Sequence, residues 1–92
     1  MLPKGSRVAL YGSRARGDAR EDSDWDVHVL IQGDEELPWS FWDKYAWPLE
    51  LVGLKLNALV NVRIYSYGGW LRRNFLPFFK NVERDSIVLF QN

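Results

Sequence analysis

Ninety-two residues, 47% of them hydrophobic, suffice for one compact domain with a single core, since a chain this short buries a smaller fraction of its surface than an average domain. Twelve basic and twelve acidic residues cancel, which removes the long-range field that draws a protein to nucleic acid or an anionic membrane and leaves any phosphate recognition to local groups. The lack of cysteine excludes a disulfide scaffold, a thiol nucleophile and a Cys-based zinc site, and with no apolar run near the ~20 residues of a membrane span and no signal-peptide pattern in residues 1–12, a cytoplasmic protein is expected.

In chain order, Arg7 to Tyr11 reads as a short buried strand that Gly12-Ser13 terminates, glycine being free to take backbone angles closed to other residues. Residues 14–23 are polar and charged around Gly17 and predict a solvated loop with room for one helical turn. Trp25 to Ile31, rich in β-branched and aromatic residues, predicts a second strand, closed by the turn signal Gly33-Asp34. Ser40-Phe41-Trp42-Asp43 fits a helix start with Ser40 as N-cap and Asp43 near the positive end of the dipole. Pro48 then imposes a kink or opens a second helix running to about Leu56.

Residues 58–65 alternate, with Ala58, Val60, Val62 and Ile64 on one side and Leu59, Asn61, Arg63 and Tyr65 on the other, which predicts a third strand with one polar face. Gly68-Gly69 predicts a break, followed by a helix from Trp70 to Lys80 interrupted near Pro77. Ile87 to Phe90 has strand propensity, although residues 82–90 fit a buried helix end equally by periodicity. Trp25, on the apolar side of its strand, is expected in the core, and Trp39, Trp42 and Trp47 in helix packing; so many aromatic residues also suit a groove or a partner surface. Arg72 and Arg73 read as a solvated helix face.

The chemistry-bearing residues are Asp24 and Asp26. Alternate residues of a strand share a face, so the two carboxylates project together while Trp25, Val27, Val29 and Ile31 turn away. Carboxylates held this close repel, and a hard divalent cation relieves the repulsion. Mg²⁺ suits such a pair, because it takes one or two protein carboxylates and completes its shell with water and phosphate oxygens. Gly12-Ser13 ends the preceding strand, where backbone N–H groups and the Ser13 hydroxyl can meet a phosphate, and Arg14 and Arg16 can add charge-assisted contacts. His28 continues the acidic face two residues on, either lining the pocket as ligand or proton carrier or hydrogen-bonded within the sheet.

The stretch from Leu10 to Gly17, with Ser23-Asp24-Trp25-Asp26-Val27 after it, resembles the signature of minimal nucleotidyltransferases of the polymerase-beta-like superfamily. The likeness is strongest over residues 8–31 and faint beyond. It implies an α/β (α+β) fold, a small mixed β-sheet flanked by helices like the palm of nucleotidyltransferases, with residues 1–92 as a single domain. It implies Mg²⁺-dependent transfer of a nucleoside monophosphate, AMP from ATP being the expected group, to a hydroxyl with release of pyrophosphate. Carried onto this chain, Gly12 and Ser13 hold the triphosphate and Asp24 and Asp26 the metal ions.

That family usually has a third carboxylate on the next core strand, and the corresponding place here holds Asn61, an amide that cannot act as a general base. Arg63, on the same face, can pair with Asp24 or Asp26 in place of a metal, or bind a phosphate. Two readings follow: an antitoxin-like enzyme that attaches AMP to a helical HEPN-type partner, or a catalytically impaired binding module that keeps the fold and holds a protein partner. A nucleic-acid polymerase is disfavoured by the size and the zero net charge. The family often has a helix before the first strand, where this chain has few residues, so either an atypical N-terminus or a partner covering that surface of the sheet is expected.

Overall fold

A computed structural model describes residues 2–92. Four strands, β1 (Arg7–Tyr11), β2 (Trp25–Ile31), β3 (Val60–Ser66) and β4 (Ile87–Gln91), form one mixed sheet in the order β3-β2-β1-β4. β1 runs antiparallel to β2 and to β4, whereas β2 and β3 are parallel, with Asp26 opposite Asn61 and His28 opposite Arg63. A parallel pair needs a crossover. Residues 32–59 supply it, through a continuous helical segment of α2 (Trp39–Phe41), a π-helical turn (Trp42–Ala46) and α3 (Trp47–Lys55). The short helix α1 (Ser13–Arg16) joins β1 to the loop before β2, and α4 (Tyr67–Leu71) and α5 (Pro77–Asp85) lie between β3 and β4.

Strand alternation divides the core in two. Val29, Ile31, Val62 and Ile64 face the crossover segment and pack with Tyr45 and Ala46. Leu30 faces the other way and packs with Trp70 of α4 and Val82 of α5. The fold is thus α+β, a mixed sheet with helices on both faces, and no helix among the described residues is long and apolar enough to cross a membrane.

Two helix boundaries, at Ser40 and at Gly68-Gly69, differ from the sequence-based expectation. The crossover starts at Trp39 after an extended Pro38, and Ser40 lies inside the helix with no capping bond, because the fixed φ of proline already sets the entry. Pro48 sits in the first turn of α3, which ends at Lys55, in line with the expected second helix opening near Pro48 and running to about Leu56, although the helical segment continues into it without a break. Its ring would crowd the carbonyl of Lys44, and the wider winding of the π turn just before it absorbs that conflict while Trp42 and Trp47 keep α-helical angles. Gly68-Gly69 sits within α4, not at a break: the buried Ser66 hydroxyl caps the helix by accepting from the Gly69 N–H at 3.0 Å. A Cβ on Gly68 would lie 2.6 Å from Asp34 Cα, so close approach of two backbone segments requires the glycine. Pro77 opens α5 at its first turn, in line with the expected interruption.

β4 resolves the ambiguous C-terminal run as an edge strand. Its ladder skips Leu89 between Val8–Phe90 and Ala9–Val88, a bulge that twists the edge, and Ile87 to Phe90 all stay about half exposed. Beside it, Leu2, Val8, Tyr45, Leu49 and Phe90 line an apolar hollow of about 330 Å³. Trp39 and Trp47 are exposed as well, at 82% and 56%, which departs from the expected helix packing and leaves them on the surface. They belong to the exposed side of the crossover segment, whose other side buries Tyr45 and Ala46 in the core.

Candidate functional site

At the end of β1 the chain turns through Gly12, whose φ of 76° and ψ of −159° belong to a region open essentially to glycine alone. A side chain is excluded there twice over, since a Cβ would come within 2.5 Å of Asp26 Oδ2. Gly12 therefore lets β1 end against the Asp26 carboxylate. Ser13 opens α1, where the Ala15 and Arg16 amides bond to the Gly12 carbonyl at 3.1 and 3.0 Å. The earlier amides, at Ser13 and Arg14, have no carbonyl ahead of them in the helix and remain available to an anion.

Strand register builds the acidic side. Asp26 lies between Tyr11 on β1 and Asn61 on β3, all three on one face, and Asp24 stands just before β2, where the Trp25 N–H is tied to the Leu59 carbonyl at 2.8 Å. The two carboxylates converge on one atom: Asn61 Nδ2 donates to Asp24 Oδ2 at 2.9 Å and reaches Asp26 Oδ1 at 3.5 Å. A neutral donor thus occupies the point between two acids, which lessens their repulsion without a charge. The Tyr11 hydroxyl is pushed up from its ordinary pKa by burial first and by the Asp26 carboxylate second, with the Arg63 guanidinium acting the other way.

The arginines fall into different settings. Arg14 clasps the loop ahead of Asp24, donating from Nε and Nη2 to the Ser23 carbonyl at 3.2 and 2.8 Å and from Nη2 to Glu21 O at 3.1 Å. Its guanidinium lies 4.2 Å from the centroid of the Trp25 ring, which is 38% exposed and not in the core as expected. Arg16 pairs with Asp18 and Asp85, each at 3.2 Å, and borders a cleft of about 180 Å³ with Gly12, Tyr11, Phe78 and Asn81. Arg63 makes no ion pair with Asp24 or Asp26 among the described residues; its place is a second cleft, of about 300 Å³, with Tyr11, Asp26, Trp42, Glu50 and Asn61. Arg72 and Arg73 both pair with the exposed Glu36, at 3.7 and 3.0 Å, on the protein surface.

His28 belongs to neither cleft. It is fully buried, with its ring centroid 4.1 Å from that of Trp70 and 5.6 Å from that of Tyr65, and neither ring nitrogen has a hydrogen-bond partner among the described residues. Burial first, and the charge of Arg7 second, lower its pKa to about 3, so it is a neutral core residue and not a proton carrier. Conversely, Glu50 and Trp42 border the acidic cleft without any local signal in the sequence. Only the crossover packing brings α3 beside β3.

The donor set fits Mg²⁺. Asp24 and Asp26 both reach the Asn61 amide, so the two carboxylates are close enough to share an ion that takes one or two protein carboxylates and finishes its shell with water and substrate oxygens. Among the described residues no three His, Cys, Asp or Glu side chains gather closely enough to hold an ion by themselves.

The fold is shared with a chain in the crystal structure of a toxin-antitoxin with AMP-PNP, at a TM-score of 0.64 and 22% identity, over 99% of this chain and 64% of that one. This chain therefore spans somewhat less than two thirds of that neighbour, and at such identity the likeness concerns the fold. No curated protein matches the sequence significantly. The model of the nucleotidyltransferase domain family matches residues 1–88. Since that match runs through the glycine-serine corner, both aspartates and Asn61, and spans nearly the whole length, the chain belongs to the nucleotidyltransferase domain family.

Proposed function

We propose that this chain, acting as one domain over residues 1–92, is a Mg²⁺-dependent nucleotidyltransferase that moves AMP from ATP to a hydroxyl of a protein or small-molecule acceptor. The observation that carries the reading is the convergence of Asp24 and Asp26 on a single point beside Gly12. Gly12, the Ser13 hydroxyl and the first-turn amides of α1 receive the triphosphate, and Asp24 and Asp26 hold the metal. Bound there, Mg²⁺ neutralises charge on the phosphates and orients the attacking and leaving oxygens. Arg14 holds the Asp24 loop in place through its carbonyl contacts, a supporting role instead of direct phosphate contact. Arg16, already paired with two carboxylates, borders the cleft beside the triphosphate corner.

The test is incubation with α-labelled ATP, Mg²⁺ and purified candidate acceptors. Incorporation of AMP is expected; absence of both incorporation and triphosphate binding overturns the reading.

Asn61 favours a second reading, a catalytically impaired module that acts through a protein partner. Its amide already bridges the acids, so they are tolerated without a cation. Calorimetry with ATP, with and without Mg²⁺, separates the two: metal-dependent binding that disappears in Asp24→Ala argues for the enzyme. Either role accommodates a protein partner. Half-exposed Ile87 to Phe90, exposed Trp39 and Trp47 and the adjoining hollow offer an apolar surface, and the similar solved chain belongs to a toxin-antitoxin. An antitoxin-like subunit in the cytoplasm with a helical HEPN-type partner fits these features. Co-purification of such a partner with the chain, lost when Phe90 and Trp47 are replaced by Asp, is the expected outcome.

A further inference from the structure

We infer that Glu50 of α3 supplies the carboxylate that β3 lacks, as the base that takes the proton of the attacking hydroxyl, and that the acceptor enters through the cleft between α3 and β3. The inference rests on the transferase reading above and names the acceptor side of that site. Three observations support it.

First, Asn61 is doubly unable to serve as base. It carries no ionisable group, and its amide is engaged with both aspartates. Second, the cleft of about 300 Å³ beside Asp26 is bordered by one other carboxylate, Glu50, which is half-buried and has no ion pair or hydrogen bond among the described residues. Third, its position is built into the packing. Gly53 follows Glu50 by three residues, on the same side of α3, and a Cβ there would lie 2.5 Å from Val60 Cγ2. The bare glycine lets α3 close onto the start of β3 at Val60, and Glu50, one turn earlier on α3, borders the cleft at the edge of that strand.

Because no three carboxylates gather around one point among the described residues, Glu50 is not a third metal ligand. It acts on the acceptor. Arg63 and the Trp42 ring share the cleft with it, a cation and an aromatic wall suited to an acceptor with a polar group beside a flat apolar one. In the step, the acceptor hydroxyl gives its proton to the Glu50 carboxylate as its oxygen bonds to the α-phosphorus. The bond from that phosphorus to the oxygen bridging to the β-phosphate breaks, and pyrophosphate leaves with the electron pair.

The experiment uses the whole chain with α-labelled ATP and Mg²⁺, glycerol at molar concentration or water being the hydroxyl acceptor. Glu50→Gln keeps shape and removes basicity. Its turnover is expected to fall about 100-fold or more, while its affinities for Mn²⁺ and for Mg²⁺ with AMP-PNP, measured by titration, match those of the wild type. Adding Asn61→Asp to Glu50→Gln restores turnover by returning a carboxylate to the strand. Wild-type turnover in Glu50→Gln overturns the role of Glu50 and leaves the transferase reading intact; so does activity in Asn61→Asp alone with none in the wild type. Loss of Mn²⁺ affinity in Glu50→Gln makes it a metal ligand and also overturns the inference. Inert wild type and Asn61→Asp, both still binding AMP-PNP, remove the transferase reading and this step with it.

Discussion

Asp26 and His28 are two residues apart on one face of one strand, yet they live in opposite surroundings. Asp26 is half-buried among Gly12, Tyr11 and Asn61, with open clefts on either side. His28 is sealed beneath Trp70, with no partner for its ring nitrogens among the described residues. The strand is the same, and the cover differs. α4 and α5 roof the middle of the sheet with Trp70, Val82, Phe78 and Phe79, and leave uncovered the end where β1 stops at its glycine. Charge is retained where the helices stop, and suppressed one pleat further in.

Four substitutions bear on this contrast, in descending order of effect. Trp70→Ala should remove the roof and cost about 3–5 kcal/mol in urea denaturation, with Mg²⁺-dependent nucleotide binding kept in the molecules that remain folded. A cost below about 1 kcal/mol would mean the roof is not what keeps His28 dry. Asp26→Asn should do the reverse, lowering Mg²⁺-dependent AMP-PNP affinity about 100-fold (roughly 2.7 kcal/mol) while unfolding free energy shifts by about 0.5 kcal/mol at most. Equal losses in both measurements would erase the distinction between the two ends.

The third concerns pH. The folded-state pKa of His28, about 3, lies below the ordinary 6.5, so between those values the unfolded chain binds the proton that the native state refuses. Its contribution is therefore complete above pH 6.5 and declines as pH falls, by about 1.4 kcal/mol per pH unit. His28→Leu should flatten the dependence between pH 6.5 and 4.5, before most carboxylates titrate, as measured by denaturation at several pH values. An unchanged slope would assign the acid sensitivity elsewhere. The smallest effect belongs to Arg14→Ala, which frees the loop ahead of Asp24 at a cost of about 1 kcal/mol. Trp25 fluorescence should shift to the red and Mg²⁺ affinity should weaken a few-fold.

The region from Arg7 to Ile31 could be read from its residues because its determinants are local. A strand pattern, a glycine at a turn and two acids at alternate positions declare themselves within twenty-five residues, and β1 and β2 fall where the pattern puts them. The crossover was harder. Pro48 marks the start of the second helix, but no local signal shows that a π turn joins it without a break to the helix before it. Gly68 and Gly69 signal a break to any local reading, whereas the Ser66 cap and the backbone of Asp34 hold them in a helix. Trp25 alternates onto the apolar side of its strand, but lies at the strand start, where the core has ended and Arg14 covers it instead.

By itself, the amino-acid sequence determined the family, the glycine-serine corner and the pair of acids, since each depends on neighbouring residues and on the period of a strand. The sequence also put Asn61 on the neighbouring strand beside them; tertiary structure alone decided that its amide reaches both carboxylates, that Glu50 borders the cleft and that His28 is shut away from both. Those placements come from the parallel register of β2 with β3 and from the close seating of α3 at Gly53. The first joins strands whose facing residues Asp26 and Asn61 are 35 residues apart, and the second depends on how α3 folds back onto the strand that follows it, a geometry no local pattern encodes.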